Sequence, residues 1–261
     1  MRMSHKIYFL ALVCLCSSIS YSQNNRLNHR NTVGWYNYFG TIKMSKKFDI
    51  HTEYQWRRND VVTEWQQSLL RVGLNYNLNP RVLLRVGYAW IETFPYGEVS
   101  INALGRDFTE HRTFQMVQLS QKEGKIDISH RFMLEQRFVG RYSSESESKE
   151  DEFPLLHRMR YMFRMQIPLK ANVKKENFPY LALYDEIFIG FGRNVTANIF
   201  DQNRFGILVG YRFNQRVRIE TGYLNQIIQF GRQIDNRNIF QYNNGLITNI
   251  NLNLNILKNR N

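Results

Sequence analysis

The sequence predicts an all-β fold: a single antiparallel up-and-down transmembrane β-barrel of about twelve strands, within a range of ten to twelve. Three observations lead there. Apolar and polar residues alternate with a period of two along most of the chain, the connections between these runs alternate between short and long, and aromatic residues gather toward the ends of the runs on the apolar parity. A soluble sandwich turns its apolar face to a shared core; a membrane barrel turns the same face to lipid and its polar face to a lumen.

The elements follow in chain order. A weaker candidate runs from Val33 to Ile42. Residues 48–56 read FDIHTEYQW, with Phe48, Ile50, Thr52, Tyr54 and Trp56 on one parity and Asp49, His51, Glu53 and Gln55 on the other. Successive side chains leave opposite faces of a pleat, so this pattern marks a strand. Leu70 to Leu78 and Val82 to Trp90 repeat it around a tight turn at Asn79-Pro80. Phe114 and Met116 mark a strand before the turn Lys122 to Lys125. Ile126, Ile128, Phe132, Leu134 and Phe138 then face away from Asp127, Ser129, Arg131, Glu135 and Arg137. Further runs cover Met159 to Ile167, Tyr180 to Phe191, Phe205 to Phe213 and Val217 to Tyr223. The last strand alternates Leu246, Thr248, Ile250, Leu252, Leu254 and Ile256 with asparagines. No helical period appears after the N-terminus. All five prolines stand at run ends, where a missing N–H does no harm to a ladder. Eleven runs can be named, and single-chain bacterial barrels favour even numbers. A short strand within 25–31 would make twelve; the alternative is an N-terminal segment threading the lumen.

Short connections at 44–47, 77–81, 122–125 and 214–216 interleave with longer ones at 58–64, 93–110, 143–153, 192–202 and 231–236. Outer-membrane barrels have this asymmetry, with short periplasmic turns and longer outer loops. The link 170–178 is longer than its place in the series implies. Residues 143–152, SSESESKEDE, are low in complexity and acidic, as in a solvated loop, and lack the spaced ligands of an EF-hand.

The N-terminus has the build of a secretory signal. Arg2, His5 and Lys6 precede an apolar stretch from Ile7 to Leu15, and Ser20-Tyr21-Ser22 offers cleavage before Gln23. The expected organisation is a cleaved signal over 1–22 and one barrel domain over 23–261. Cys14 and Cys16 both lie in the signal, so the mature chain has no disulfides and no thiolate chemistry. The preceding residues, Val13 and Leu15, are too large for a lipoprotein signal. Loss of Arg2 and Lys6 lowers the formal charge from +13 to +11. Arginines spread through strands account for this charge without nucleic acid as a partner. Hydrophobic residues make up 43% and mean hydropathy is −0.47, values shared by soluble proteins and barrels. Past the signal, no apolar run approaches the roughly 20 residues of a membrane helix.

The aromatic residues choose between the two kinds of sheet. Tyr54, Trp56, Tyr88, Trp90 and Tyr223 fall toward the long loops, and Tyr76 and Tyr211 toward the short turns. Tyr and Trp placed so suit a membrane interface, ring in lipid and polar tip in water. Glycines 73, 87, 206, 210 and 222 take the polar parity, where a narrow lumen needs room.

With these features the chain resembles a family of Gram-negative outer-membrane β-barrels catalogued as a domain of unknown function. The resemblance rests on the signal ending YSQ, the strand VGWYNYF, the hairpin KKFDIHTEYQWRR, the motif YLALYDEIFIGF and the asparagine-alternating final strand. It implies an envelope location and a barrel, and no activity.

On the polar parity stand Arg57, Arg71, Arg85, Arg131, Arg137, Arg141, Arg158, Arg160, Arg164, Arg204, Arg212 and Arg218. With them go Asp49, Glu53, Asp127, Glu135, Glu220 and one of the pair Asp185-Glu186, Glu186 being the residue chosen. A twelve-stranded lumen is little wider than side chains can fill. Paired charges would then close it as an envelope scaffold, or guanidinium forks would line a narrow passage or pocket for small anionic solutes. The alternative is a lipid-modifying enzyme, a hydrolase or acyltransferase using Ser and His on the lipid side. Ser129 and His130 are adjacent and so face opposite ways, and no catalytic constellation emerges. No histidines stand at metal-ligand spacing, so neither metal nor cofactor is expected. The expected partners are outer-membrane lipid and small anions.

Overall fold

The computed structural model describes residues 25–169 and 177–256. These residues form one closed barrel of eleven strands: β1 (Arg26–Lys43), β2 (Phe48–Asn59), β3 (Glu64–Asn79), β4 (Val82–Thr93), β5 (Phe108–Glu123), β6 (Ile126–Val139), β7 (Leu155–Pro168), β8 (Phe178–Phe191), β9 (Phe200–Arg212), β10 (Val217–Ile234) and β11 (Arg237–Asn255). Each run named from alternation is a strand. The expected twelfth is not formed, because residues 26–31 simply continue β1. Consecutive strands pair antiparallel, so an odd count leaves the first and last running the same way. β1 and β11 accordingly close the barrel in parallel, from Arg26 opposite Asn238 to Lys43 opposite Asn255. The segment expected to be a signal and most of the link between β7 and β8 lie outside the described residues.

The two rims differ. One carries the links 44–47, 80–81, 124–125 and 213–216, and the other carries three long loops, 94–107, 140–154 and 192–199. The long loop expected over 231–236 is instead a two-residue turn, since β10 and β11 extend until Ile234 pairs with Arg237. Asp235 and Asn236 take φ values of 50° and 56°, as a type I′ hairpin turn requires. Asp and Asn tolerate this left-handed backbone better than most residues. Their neighbour at the same rim is less suited: Val61, in the link 60–63, has φ 66°.

The faces of the sheet are inverted relative to a soluble protein. Leu70, Val72, Leu74 and Val86 on the outer wall are about half exposed, whereas Arg71, Glu135 and Asn243 inside are buried. Gly206 and Gly210 admit rings to the interior. A Cβ would stand 2.3 Å from the Tyr184 ring at the first and 2.2 Å from the Tyr180 ring at the second. β5 corrects the expected parity. Its Phe114 and Met116 point inward and pack on Met133, while His111, Thr113 and Gln115 lie on the outer face. The two-residue turn 124–125 fixes this, because it pairs Glu123 with Ile126 and Leu119 with His130. Residues directly opposite across a ladder share a face, so β5 must take the orientation its hairpin partner dictates.

A β-branched residue at positive φ is strained. Replacing Val61 by Asn keeps the backbone carbonyl that accepts from the Tyr36 hydroxyl. It should raise barrel stability by on the order of 1 kcal/mol, read as a higher urea midpoint in reversible vesicle refolding.

Candidate functional site

Two cavities occupy the barrel, one from each rim. The short-turn vestibule has a volume of about 850 Å³ and the long-loop vestibule about 670 Å³. Gln55, Arg57, Arg71, Arg160 and Arg204 border both, so this layer forms a waist between them.

Ion pairs hold the waist and the wall on either side. Glu53 of β2 accepts two hydrogen bonds from one Arg71 nitrogen, at 2.7 and 2.6 Å, and a contact from His51 at 3.1 Å. Across the lumen, Glu135 of β6 meets Arg112 at 3.1 Å, Arg158 at 2.7 Å and Arg160 at 2.8 Å. From there the pairs close a ring. Arg158 reaches Asp201 at 2.6 Å, Asp201 meets Arg137 at 3.6 Å, Arg137 meets Glu110 at 2.7 Å, and Glu110 returns to Arg112 at 2.6 Å. Arg160 also bridges to Glu186, which holds Arg131 at 2.9 Å. Toward the short turns, Glu220 pairs with Arg164 at 2.7 Å and Arg218 at 3.4 Å and accepts the Tyr180 hydroxyl. Each shared carboxylate stitches two or more strands, which β-ladder bonds alone join only to neighbours.

The other inner arginines rest on rings or amides. Arg57 lies over the Trp35 ring at 3.9 Å, and Arg204 lies over the same ring at 4.9 Å and over Phe188 at 4.6 Å. Arg57 donates to Gln67 at 2.6 Å and to Gln55. Arg85 donates to Asn75 at 2.6 Å, and Arg212 lies over Phe178. Trp35 is held by its own donation to Gln66 at 2.7 Å.

The residues singled out in the sequence therefore divide. Arg57, Arg71, Arg85, Arg131, Arg137, Arg158, Arg160, Arg164, Arg204, Arg212 and Arg218 border the lumen cavities. Arg141 sits beyond the end of β6, pairs through its backbone with Glu152 and borders the long-loop vestibule. Glu53, Glu135, Glu186 and Glu220 are buried ion-pair partners, and Asp49 accepts from Asn77. Asp127 is half exposed at the short-turn rim, 3.9 Å from Lys122. Asp185 faces outward, bonded to Asn203. Among the described residues, the inner charges that escaped the sequence include Glu110 and Arg112, through the mistaken parity of β5, and Asp201, at the bulge where β9 shifts register on β8. The hairpin register of β5 on β6 is the signal that recovers the first two.

Of the aromatic set, Tyr54, Tyr88, Trp90, Tyr211 and Tyr223 are outward and exposed, and Trp56 and Tyr76 pack with tilted rings on Tyr36 and Phe48. Tyr223 lies deeper than expected because β10 continues past it to Ile234. His130 lies on the outer face, bonded to the Tyr161 hydroxyl, and His111 bonds the Tyr88 hydroxyl.

Loop 94–107 folds inward over the long-loop mouth. Buried Tyr96 donates to Gln241 of β11 at 2.6 Å, and Arg232 of β10 donates to the Ser100 carbonyl at 2.7 Å. The acidic loop is also tied down: Arg106 donates to the carbonyls of Glu145 and Glu147. Ser143 bonds Asp151 through its hydroxyl and amide, holding that carboxyl below its usual range.

Comparison with known proteins adds one match. A family described as "protein of unknown function (DUF2490)" matches residues 32–238. No curated protein and no solved structure matches.

Removing one partner of a buried pair leaves uncompensated charge, which costs about 3–5 kcal/mol. Glu135→Gln takes one carboxylate partner from Arg112, Arg158 and Arg160 at once and should reach that range. Asp127→Asn, at an exposed pair, should change stability by about 0–1 kcal/mol. Urea unfolding of the two variants in the same vesicles measures both.

Proposed function

The chain belongs to this DUF2490 family of proteins of unknown function, and we propose that it is an outer-membrane β-barrel with a largely closed, arginine-rich lumen. It serves as an envelope scaffold that admits only small anionic solutes, through a narrow passage or into a pocket. The waist carries this reading: two vestibules meet at a layer where Arg71 and Arg160 are pinned by Glu53, Glu135 and Glu186. Arginine remains in excess over carboxylate on the inner wall. Water inside a low-dielectric wall concentrates the field of such an excess, so anions enter more easily than cations. Fixed forks at the waist then keep openings small or rare.

The membrane setting rests on the outer wall. A soluble barrel exposing Leu70, Val72, Leu74, Val86, Phe132, Met159, Ile207 and Val209 would present a continuous apolar belt to water, far beyond the patches that monomers tolerate. In lipid the same belt is the stabilising surface.

Two measurements test this function. In planar bilayers the unmodified protein should show low, infrequent conductance with anion preference. The Arg71→Ser/Arg160→Ser variant should conduct more and prefer anions less. Each acid at the waist keeps another partner: Glu53 keeps its contact with His51, Glu186 keeps Arg131, and Glu135 keeps Arg112 and Arg158. A large, steady, cation-selective current from the unmodified protein would contradict the function. For the faces, Val72→Arg should cost on the order of 2–4 kcal/mol near the bilayer midplane, and Gln118→Arg, which faces the short-turn vestibule, much less. Equal losses in vesicle refolding would show that the outer wall does not face lipid.

A further inference from the structure

The two vestibules differ in chemistry. The short-turn vestibule is lined mainly by charged and amide side chains. In the long-loop vestibule Leu69, Leu104, Phe108, Leu156 and Phe230 stand on the walls above the waist. Its floor includes Arg57 and Arg204. Among the described residues, neither arginine has a carboxylate within ion-pair distance, although their neighbours Arg71, Arg158 and Arg160 do. Both converge on one indole, Trp35, and the Arg57 Nε is buried without a hydrogen-bond partner. Two like charges gathered at one indole repel, and an anion that meets both relieves that repulsion.

We propose that the long-loop vestibule binds a single-headed anionic amphiphile: one carboxylate on an apolar chain. The head sits on Arg57 and Arg204, and the chain lies along Leu69, Phe108, Leu156 and Phe230 toward the mouth. The proposal rests on the arginine-lined, plugged lumen described above and names the solute class of its outer half. A volume of about 670 Å³ falls in the usual range of small-molecule sites, roughly 300–1,000 Å³. A small hydrophilic dianion would leave the apolar walls in contact with water. A cationic amphiphile would meet the wrong floor. A carboxylate is matched by the guanidinium fork, and each methylene behind it removes apolar surface from water on both sides.

Decanoate is the probe, titrated calorimetrically into the full chain in phosphatidylcholine nanodiscs, with empty discs as background. Saturable binding of one decanoate per barrel is expected, weakened at least tenfold by Arg57→Gln/Arg204→Gln. Neither arginine belongs to the ion-pair ring, so that variant should fold, as heat-modifiable migration on gels will show. Should it not fold, Leu104→Asp, in the loop over the mouth, provides the second test: it should weaken decanoate and spare inorganic phosphate. Succinate and inorganic phosphate lack the chain and decyltrimethylammonium lacks the anion; all three should bind at least tenfold more weakly than decanoate. The proposal is overturned if any of them matches decanoate, if the folded variants bind decanoate normally, or if decanoate does not bind. A low, anion-preferring conductance beside such a result would leave the plugged barrel standing and remove only its ligand. A steady cation current would remove both.

Discussion

Charge placed inside a narrow barrel must find a partner there, and most of the interior follows from that constraint. Moving an isolated guanidinium or carboxylate out of water costs several kcal/mol, and only well-made pairs with their remaining hydrogen bonds satisfied recover it. Glu135 shows the solution. With no exposed surface of its own, it serves three arginines drawn from β5 and β7. Because those arginines also reach Glu110, Asp201 and Glu186, no single pair can be exchanged without disturbing the ring. Glycines, inward tyrosines and the bulge in β9 are the local adjustments that let the ring close. Arg57 and Arg204 stand outside it, on the Trp35 face rather than on a carboxylate.

The outer wall is apolar where the inner wall is polar, and the two faces are linked residue by residue through the pleat. Val72 cannot turn outward without turning Arg71 and Gly73 inward. This is why outer-wall composition and lumen chemistry cannot be changed independently along a strand. Loop 94–107 adds a third layer of control at one rim. Tyr96 crosses to Gln241 and Asn243 on the far side of the barrel, so the long-loop mouth is narrowed by a segment anchored at both sides.

Much of this was legible in the sequence, for a physical reason: strict alternation survives only where both faces of a strand have fixed environments. FDIHTEYQW and the Asn-alternating β11 are such strands, and their faces follow directly. β5 was misjudged because its inner face carries Phe114 and Met116 and its outer face His111, Thr113 and Gln115, so polarity alone points the wrong way. What decides it is pairing with β6 through the turn 124–125, a relation between strands. The same holds for Asp201, brought inward by a register shift, and for the turn at Asp235-Asn236, hidden because β10 and β11 run on through polar residues. The identity of ion-pair partners was not legible at all, since barrel closure brings together side chains that no local pattern relates.

The parallel seam has a kinetic meaning. Asn31 donates to Asn243 and Asn37 to Asn249, contacts separated by 212 residues in each case. Joining points so far apart along a flexible chain costs roughly 5 kcal/mol of loop entropy. One asparagine pair does not offset that. Every other ladder joins strands consecutive in the chain; this one joins the first strand to the last. Its bonds therefore become favourable only together, after ten successive ladders have already aligned the two free edges. Until then the edges of β1 and β11 are open templates for another chain. Closure is thus the cooperative last step of folding, and the interior charges meet all their partners only when it is complete.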